Sequence, residues 1–388
     1  MWVPDGVVLN VPPNASFYTY ILKIAARCNL ACPYCYMYEG PDQSWRERPK
    51  FMSEQTARQT FWRIAEHVCE KGLEEVALTF HGGEPLLAGV DRIRRYLESA
   101  KELVPARIDF SVQTNGTLLS EEYLDLFCEF DVKIGLSIDG DREANNRFRK
   151  FKNGRSSFDR VISAIKLIDS RPEWARLLTG YLAVIDLRND PEELFKFVSG
   201  LDCRGFDVLL PDCNYETPPY RPSDDTDLTS YGKWMARLFD AWLNSGKDIE
   251  VCYFEEIMAM LFGQSSTREH IGSQFADLII IESDGDIEGV DTLKMVSRDA
   301  THLGLNVYRN SFTEALKHES VACRLVGYDA LCDECRSCEY LKYCGGGYIP
   351  HRYKETTGFI NPSIYCKDIQ YLISHIQATI TSDLSCHA

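Results

Sequence analysis

The sequence predicts an α/β protein, a partial (β/α)6 barrel of the TIM type followed by a cysteine-rich extension. Three observations predict it. Six short β-rich runs occur in the first 215 residues, longer amphipathic segments separate them, and cysteine and glycine concentrate near the end of the chain. The strand-like runs are 18–26, 76–82, 108–116, 132–140, 177–185 and 206–212.

The helix-like segments between these runs have recognisable ends. Ser53 is a predicted N-cap and Gly72 a predicted stop for the first helix, and a second helix is predicted between Ser157 and Ser170. A further helical region is predicted from Tyr231 to about Gly263. We therefore expect four segments: an N-terminal extension (1–16), the barrel (17–215), a connector with helices (216–275) and the cysteine-rich domain (276–388).

Polar or glycine-containing loops follow four of the predicted strands, where barrels of this kind carry their chemistry. These loops are 28–35, 81–85, 113–117 and 137–140.

The composition of the chain indicates which partners and which location to expect. The chain has 388 residues, a net charge of −16 and 45% hydrophobic residues, as expected for a folded domain. No run of lysine and arginine resembles a phosphate-binding stripe, so we expect no nucleic-acid partner. No apolar run is long enough to cross a membrane, and the N-terminus lacks the features of a signal peptide, so we expect a cytoplasmic protein without membrane contact.

The 15 cysteines are the main functional clue, because a reducing compartment disfavours disulfides. One group lies near the start of the chain and another near its end. Five further cysteines are scattered through apolar segments and are expected to be small buried hydrophobes: Cys69, Cys128, Cys203, Cys213 and Cys252.

The first group, Cys28, Cys32 and Cys35, has the spacing C-x3-C-x2-C. Three thiolates on a short loop can hold three irons of a 4Fe–4S cube and leave the fourth iron open for chemistry. A structural zinc loop is the alternative, but it needs a fourth Cys or His close by, and the segment has none.

This spacing resembles that of the radical S-adenosylmethionine (SAM) superfamily. The resemblance implies that the three cysteines bind a 4Fe–4S cluster whose open iron binds SAM, which is cleaved to a 5′-deoxyadenosyl radical. It also implies that SAM is bound by residues at the following strand ends, whose order along the chain fits the family. These residues are Tyr34, Gly82, Gly83, Glu84, Asn115, Ser137 and Arg149. Taken alone, the GGEP segment would be an ordinary turn and Arg149 a surface charge.

The second group offers four thiolates, Cys335, Cys338, Cys344 and Cys366, with three glycines after Cys344. By count, four sulfurs suit zinc or an iron–sulfur cluster. The segment resembles the SPASM extension of radical SAM peptide maturases, which implies that these four cysteines hold one auxiliary 4Fe–4S cluster.

The SPASM resemblance is incomplete. Tyr348 and Val290 stand where cysteines of an inner auxiliary cluster are expected, so that cluster is predicted to be absent, and Cys323 and Cys332 stay unassigned. Asp291 follows the vacated position. In the sulfatase-maturating branch the aspartate at this place is thought to act as a base, whereas a solvent-facing turn residue is the simpler interpretation.

The chain is most similar to the SPASM branch that forms three-residue cyclophanes in ribosomally made peptides; Asp42–Arg46 and His351–Tyr353 carry this resemblance. It implies Cβ hydrogen abstraction from a precursor peptide, attack on an aromatic ring two residues away, and an electron donor such as flavodoxin or ferredoxin. Thioether formation, sulfatase maturation and a non-enzymatic iron–sulfur or zinc protein are the alternatives.

Overall fold

The computed structural model describes residues 1–202, 204–266, 269–272 and 277–386, so Cys203 lies outside the described residues. The strands are β1 (Thr19–Ala25), β2 (Glu75–Gly82), β3 (Arg107–Thr114), β4 (Lys133–Ser137), β5 (Leu178–Val184), β6 (Phe206–Leu209), β7 (Leu278–Ile281), β8 (Asp286–Glu288) and β9 (His302–Asn306). The six strand predictions are thus confirmed, and β7–β9 are additional.

The helices are α1 (Glu54–Lys71), α2 (Val90–Leu103), α3 (Glu121–Phe130), α4 (Arg142–Phe148), α5 (Phe158–Asp169), α6 (Pro172–Ala175), α7 (Pro191–Ser199), α8 (Ser230–Leu243), α9 (Cys252–Leu261), α10 (Phe312–Leu316), α11 (Glu319–Ala322), α12 (Asp333–Arg336), α13 (Leu341–Cys344) and α14 (Cys366–Cys386). The predicted ends of α1 are confirmed. The Ser53 side chain accepts from the Thr56 backbone N–H, and Gly72 closes the helix at φ 66°.

The chain forms two compact units. One comprises residues 11–182 and 277–322, and the other comprises 1–10, 183–276 and 323–388. Each unit combines separate stretches of the chain, whereas each of the four segments expected from the sequence is one continuous stretch. The boundaries of those four segments stay a prediction.

In the first unit, five parallel strands and the parallel β7 form a sheet in the order β5-β4-β3-β2-β1-β7, and the antiparallel β8 and β9 continue it. Alternate residues of β2 are buried, and Tyr20, Leu22, Leu78, Phe80 and Val112 belong to its core. Because the strands are parallel, the loops that follow β1 to β4 emerge from one edge of the sheet, where α/β proteins bind ligands.

In the second unit, the cysteine-rich segment folds into the short helices α12 and α13 and leads to the long helix α14. Helix α14 packs on α8 through the buried residues Ile369, Leu372 and Ile376. The sequence predicts the helical region that became α8 and α9, but it does not predict α14.

Candidate functional site

The first cysteine loop begins three residues after β1 and is held by backbone hydrogen bonds. The Cys35 backbone N–H donates to the Cys32 carbonyl at 3.0 Å, and Leu30 N–H points to the Cys28 sulfur at 3.4 Å. Burial raises the pKa of all three thiols, that of Cys28 to about 12 and that of Cys35 to about 11. Free thiols here keep their protons, and bound iron would supply the positive charge that stabilises thiolates.

The GGEP turn after β2 packs against the chain just before Cys28. Gly83 N–H donates to the Ala25 carbonyl at 2.7 Å, and Glu84 N–H donates to the Arg27 carbonyl at 2.9 Å. A Cβ on Gly82 would collide with the Ala25 carbonyl, and a Cβ on Gly83 would collide with the Arg27 carbonyl. Gly82 also has φ 148°. The glycines are therefore required by the approach of the turn to the cysteine loop.

Glu84 is fully buried and ties two strand ends together. Its carboxylate accepts from Thr114 Oγ1 at 2.6 Å, Asn115 N–H at 2.9 Å and Leu86 N–H at 3.1 Å. Burial raises the pKa of Glu84. A carboxylate has room for about four hydrogen bonds, so one acceptor position remains for an ammonium group.

Asn115 and Ser137 occupy the next two strand ends. The Asn115 amide donates to Asn29 Oδ1 at 2.9 Å and lies 3.8 Å from the Cys28 sulfur. Ser137 Oγ accepts from Gln113 Nε2 at 2.9 Å. The structure thus brings Asn115 to the cysteine loop and pairs Ser137 with the strand beside it.

Arg149 is buried, so the interpretation of a surface charge is wrong. Its Nη1 donates to Tyr34 Oη at 2.9 Å, Tyr34 donates to Asp139 at 2.5 Å, and Arg149 lies 3.8 Å from Asp139. The buried Arg149 Nε has no hydrogen-bond partner in the described part of the chain. This N–H fits the prediction that Arg149 binds a carboxylate, since a buried unpaired donor is costly.

Asp291 is buried, so its interpretation as a solvent-facing turn residue is wrong. Its Oδ2 accepts from the Lys23 ammonium and from Tyr36 Oη at 2.7 Å. Lys23, on β1 and fully buried, also contacts Tyr36 Oη and His81 Nδ1, each at 3.1 Å. Burial disfavours the ionised carboxylate, but the Lys23 charge outweighs it and lowers the pKa of Asp291 to about 2.

His81 is the uncharged member of this group. Burial and the Lys23 ammonium lower the pKa of His81 to about 4, so the ring is neutral near pH 7. Tyr36 directly follows Cys35, and His81 directly precedes Gly82. Asp291 is thereby connected to both the cysteine loop and the GGEP turn, and sequence reasoning missed all three of its neighbours.

A second buried charge network supports the hairpin that leads to Asp291. Glu288 on β8 accepts from Arg48 at 2.5 Å and from Lys294 at 2.7 Å, and Lys294 also lies 3.5 Å from Asp42. Burial and the neighbouring carboxylate of Glu282 raise the pKa of Glu288 to about 7. Asp42 was singled out by resemblance alone, and this contact gives it a physical role.

The four cysteines of the second group line one cavity, together with Leu341 and Gln370. The Gln370 amide donates to the Cys338 sulfur at 3.5 Å. Burial raises the pKa of the Cys344 thiol to about 12 and that of Cys366 to about 11. Four sulfurs around one cavity match the donor set of an auxiliary 4Fe–4S cluster.

The glycines after Cys344 let the backbone close over this site. Gly345, Gly346 and Gly347 have φ of 63°, 82° and 69°, a left-handed run that other residues rarely adopt. Arg352 donates to the carbonyls of all three, which gives the HRY segment a structural role. Cys332 hydrogen-bonds with Cys335, whereas Cys323 lines a separate cavity beside Arg324 and Arg352.

Among the described residues, no group of three or more His, Cys, Asp or Glu side chains is arranged to hold a metal ion, and the individual ligand assignments stay predictions.

Of the scattered cysteines, Cys69 is exposed and the prediction of burial is wrong there, because its helix position faces solvent; Cys128, Cys213 and Cys252 are half-buried.

Comparison with known proteins identifies the domain. Residues 22–197 match the Radical SAM superfamily. The chain therefore carries a radical SAM domain. The predicted fold class, the prediction of an enzyme, and the use of iron–sulfur chemistry with SAM are confirmed at this level.

Two curated relatives align over most of the chain. A serine-type anaerobic sulfatase-maturating enzyme of Bacteroides thetaiotaomicron is 25% identical over 92% of this chain and 89% of its own length. A cysteine-type anaerobic sulfatase-maturating enzyme of Clostridium novyi is 24% identical over 90% of this chain and 92% of its own.

Solved structures share the fold. AdoMet-bound anSMEcpe has a TM-score of 0.80 and 22% identity, covering 94% of this chain and 98% of that one. Streptococcus suis SuiB bound to its precursor peptide SuiA has a TM-score of 0.60 and 16% identity, covering 91% of this chain and 76% of SuiB. In the described residues, no helix has the length and apolar character needed to cross a membrane.

Proposed function

We propose that this enzyme modifies a ribosomally made precursor peptide, forming a carbon–carbon bond between a side-chain Cβ and an aromatic ring two residues away, a cyclophane. The observation that carries this proposal is the buried Asp291, held by Lys23 and Tyr36 beside the cysteine loop. Crosslinking to an aromatic ring requires a base near the radical site, because the ring must lose a proton to regain aromaticity.

In this proposal, Cys28, Cys32 and Cys35 hold the SAM-binding 4Fe–4S cluster. Glu84 accepts a hydrogen bond from the SAM ammonium group with its remaining acceptor position. Arg149 donates to the SAM carboxylate through its unpaired Nε–H. Tyr34, Gly82, Gly83, Asn115 and Ser137 complete the surroundings of SAM. When bound, the cluster and SAM supply a 5′-deoxyadenosyl radical that removes one hydrogen atom from the peptide Cβ.

Asp291 then accepts the aromatic proton. Both Lys23 and Tyr36 donate to Oδ2, so Oδ1 is the oxygen that can take the proton from the peptide. Lys23 keeps the carboxylate ionised in a buried place, and Tyr36 fixes its orientation. The peptide loses one hydrogen atom, one proton and one electron. Cys335, Cys338, Cys344 and Cys366 would hold an auxiliary 4Fe–4S cluster, which would supply an acceptor for that electron.

Sulfatase maturation is the second candidate, and the curated relatives named above favour it. Against it stand Val290 and Tyr348, at positions where the sulfatase-maturating pattern has cysteines of an inner cluster. Thioether formation uses the same framework, whereas a non-enzymatic iron–sulfur protein would produce no 5′-deoxyadenosine. A flavodoxin or ferredoxin as electron donor and a cytoplasmic location belong to the same proposal.

The test is co-expression with a short precursor peptide, such as one found in a neighbouring reading frame, its aromatic residues ring-deuterated. Crosslinking to a ring carbon removes one hydrogen and one deuterium, whereas formylglycine or thioether formation keeps every ring deuterium. Mass spectrometry distinguishes these results, and a variant with Cys28, Cys32 and Cys35 changed to Ala is the control. Full retention of ring deuterium in a modified peptide would exclude the cyclophane.

A further inference from the structure

One segment of the first unit, residues 142–160, has a net charge opposite in sign to that of the whole chain. Residues 142–160 include seven basic and two acidic residues, although the chain carries a net charge of −16. Lys152, Arg155 and Arg160 are exposed, and none of them forms an ion pair with a residue that the structure describes. Three unpaired cations on an acidic protein form a local positive patch that can attract an acidic partner.

This patch is joined directly to the first cysteine loop. The segment 150–156 folds back on itself through a bridge between Lys150 and Ser156, and Phe151 pairs with Leu30. The Ala31 backbone N–H donates to the Lys150 carbonyl at 2.8 Å. Residues 30 and 31 lie between two of the predicted cluster ligands, so the basic segment is the immediate neighbour of the cluster loop.

The patch also borders an open depression of about 660 Å³ that reaches the loop. Its walls include Lys152, Arg155, Arg160 and Asn29, the residue that follows Cys28. Ala31 and Pro33, on the same loop, are exposed to solvent. A protein bound here would therefore lie against the segment that carries the cluster ligands.

We propose that Lys152, Arg155 and Arg160 form the docking site for an acidic one-electron carrier protein of the flavodoxin or ferredoxin type. The inference rests on the proposed function, in which the cluster must gain one electron before SAM is cleaved; the carrier loses that electron. Opposite charges bring the carrier to this face, and the adjoining loop offers a short path for the electron. An acidic peptide substrate is the competing occupant.

The experiment compares two triple variants of the reconstituted enzyme. Lys152→Glu, Arg155→Glu and Arg160→Glu reverse the patch, while Lys71→Glu, Lys101→Glu and Lys317→Glu change net charge equally outside it. With reduced flavodoxin, we expect the patch variant to form 5′-deoxyadenosine at least about tenfold more slowly, because electrostatic steering raises association by 10- to 1,000-fold. With dithionite, a small reductant, both variants should match the wild type.

Zero-length crosslinking provides a readout independent of catalysis. A carbodiimide joins lysine amines to carboxylates, so we expect flavodoxin peptides linked to Lys152 or Lys150, fewer at high salt. An unchanged flavodoxin-supported rate, or crosslinks only at other lysines, would overturn the proposal. So would a higher peptide KM in the patch variant with dithionite, which indicates the peptide as occupant. Wild-type enzyme inactive with dithionite would instead contradict the proposed function on which this inference depends.

Discussion

The two cysteine sites differ in how completely the protein surrounds them. The first places three thiols on one loop, among buried polar groups that keep unused atoms, such as Arg149 Nε. The second gathers four thiols from α12, α13, α14 and the turn at Cys338, and left-handed glycines and Arg352 close the chain over it. The difference teaches that ligand count and neighbouring polar groups distinguish the two sites, in line with the proposal that the first carries out the chemistry and the second holds an electron.

Charge placement sharpens this contrast. Around the first site lie Glu84, Arg149, Lys23 and Asp291, each buried and each in hydrogen-bond contact with another strand end or loop. Around the second, the cation Arg352 binds backbone carbonyls. At the first site, charged side chains therefore connect several strand ends and loops, and Asp291 is the carboxylate among them that the proposed reaction uses as a base.

The largest effect should come from removing one ligand at each site. Cys32→Ala should abolish 5′-deoxyadenosine formation, a loss of at least about 100-fold, since even outer-shell partners of a metal contribute 10- to 100-fold. Cys344→Ala should still form 5′-deoxyadenosine while crosslinked peptide is lost. Iron counting and product analysis of both anaerobic proteins measure this, and equal loss of 5′-deoxyadenosine in both would remove the distinction between the sites.

A smaller effect is expected at the carboxylate beside the first site. Asp291→Asn should lower the rate of crosslinking by about 100-fold or more, the usual contribution of a general base, with 5′-deoxyadenosine still produced. Because the pKa of Asp291 is about 2, its ionisation should leave no acid limb in the wild-type rate between pH 5 and 8. The readout is 5′-deoxyadenosine formed per crosslink, which should rise in the variant.

Asp284→Asn is the matched control, because Asp284 lies in the same hairpin region and contacts Arg48 instead of Lys23. It should keep the wild-type ratio of 5′-deoxyadenosine to crosslink. If the two variants behave alike, Asp291 acts through the stability of the hairpin and its proposed role as a base is wrong.

The sequence predicted the six strands and the ends of α1, because hydrophobic alternation and capping residues are local signals. It did not predict the roles of Lys23 and His81, since a lysine within an apolar strand and a histidine before a GGEP turn carry no local mark of function. Their role depends on Asp291, which is 268 positions from Lys23. Likewise β7 joins the sheet beside β1, a pairing across more than 250 residues that no local pattern encodes.

The smallest effect is expected on stability, from the buried charge network of Arg48, Glu288 and Lys294. Burial and Glu282 raise the pKa of Glu288 to about 7, so the folded protein prefers protonated Glu288, and the free energy of unfolding should fall as pH rises from about 4.5 to 7. Glu288→Gln cannot ionise and should remove this decline, up to roughly 3 kcal/mol. Urea unfolding at pH 5 and pH 8 measures it, with Glu98→Gln, an exposed glutamate on α2, as control. An unchanged pH dependence in Glu288→Gln would mean that Glu288 is already ionised in the folded protein, with Arg48 and Lys294 neutralising its charge, and would contradict the raised pKa.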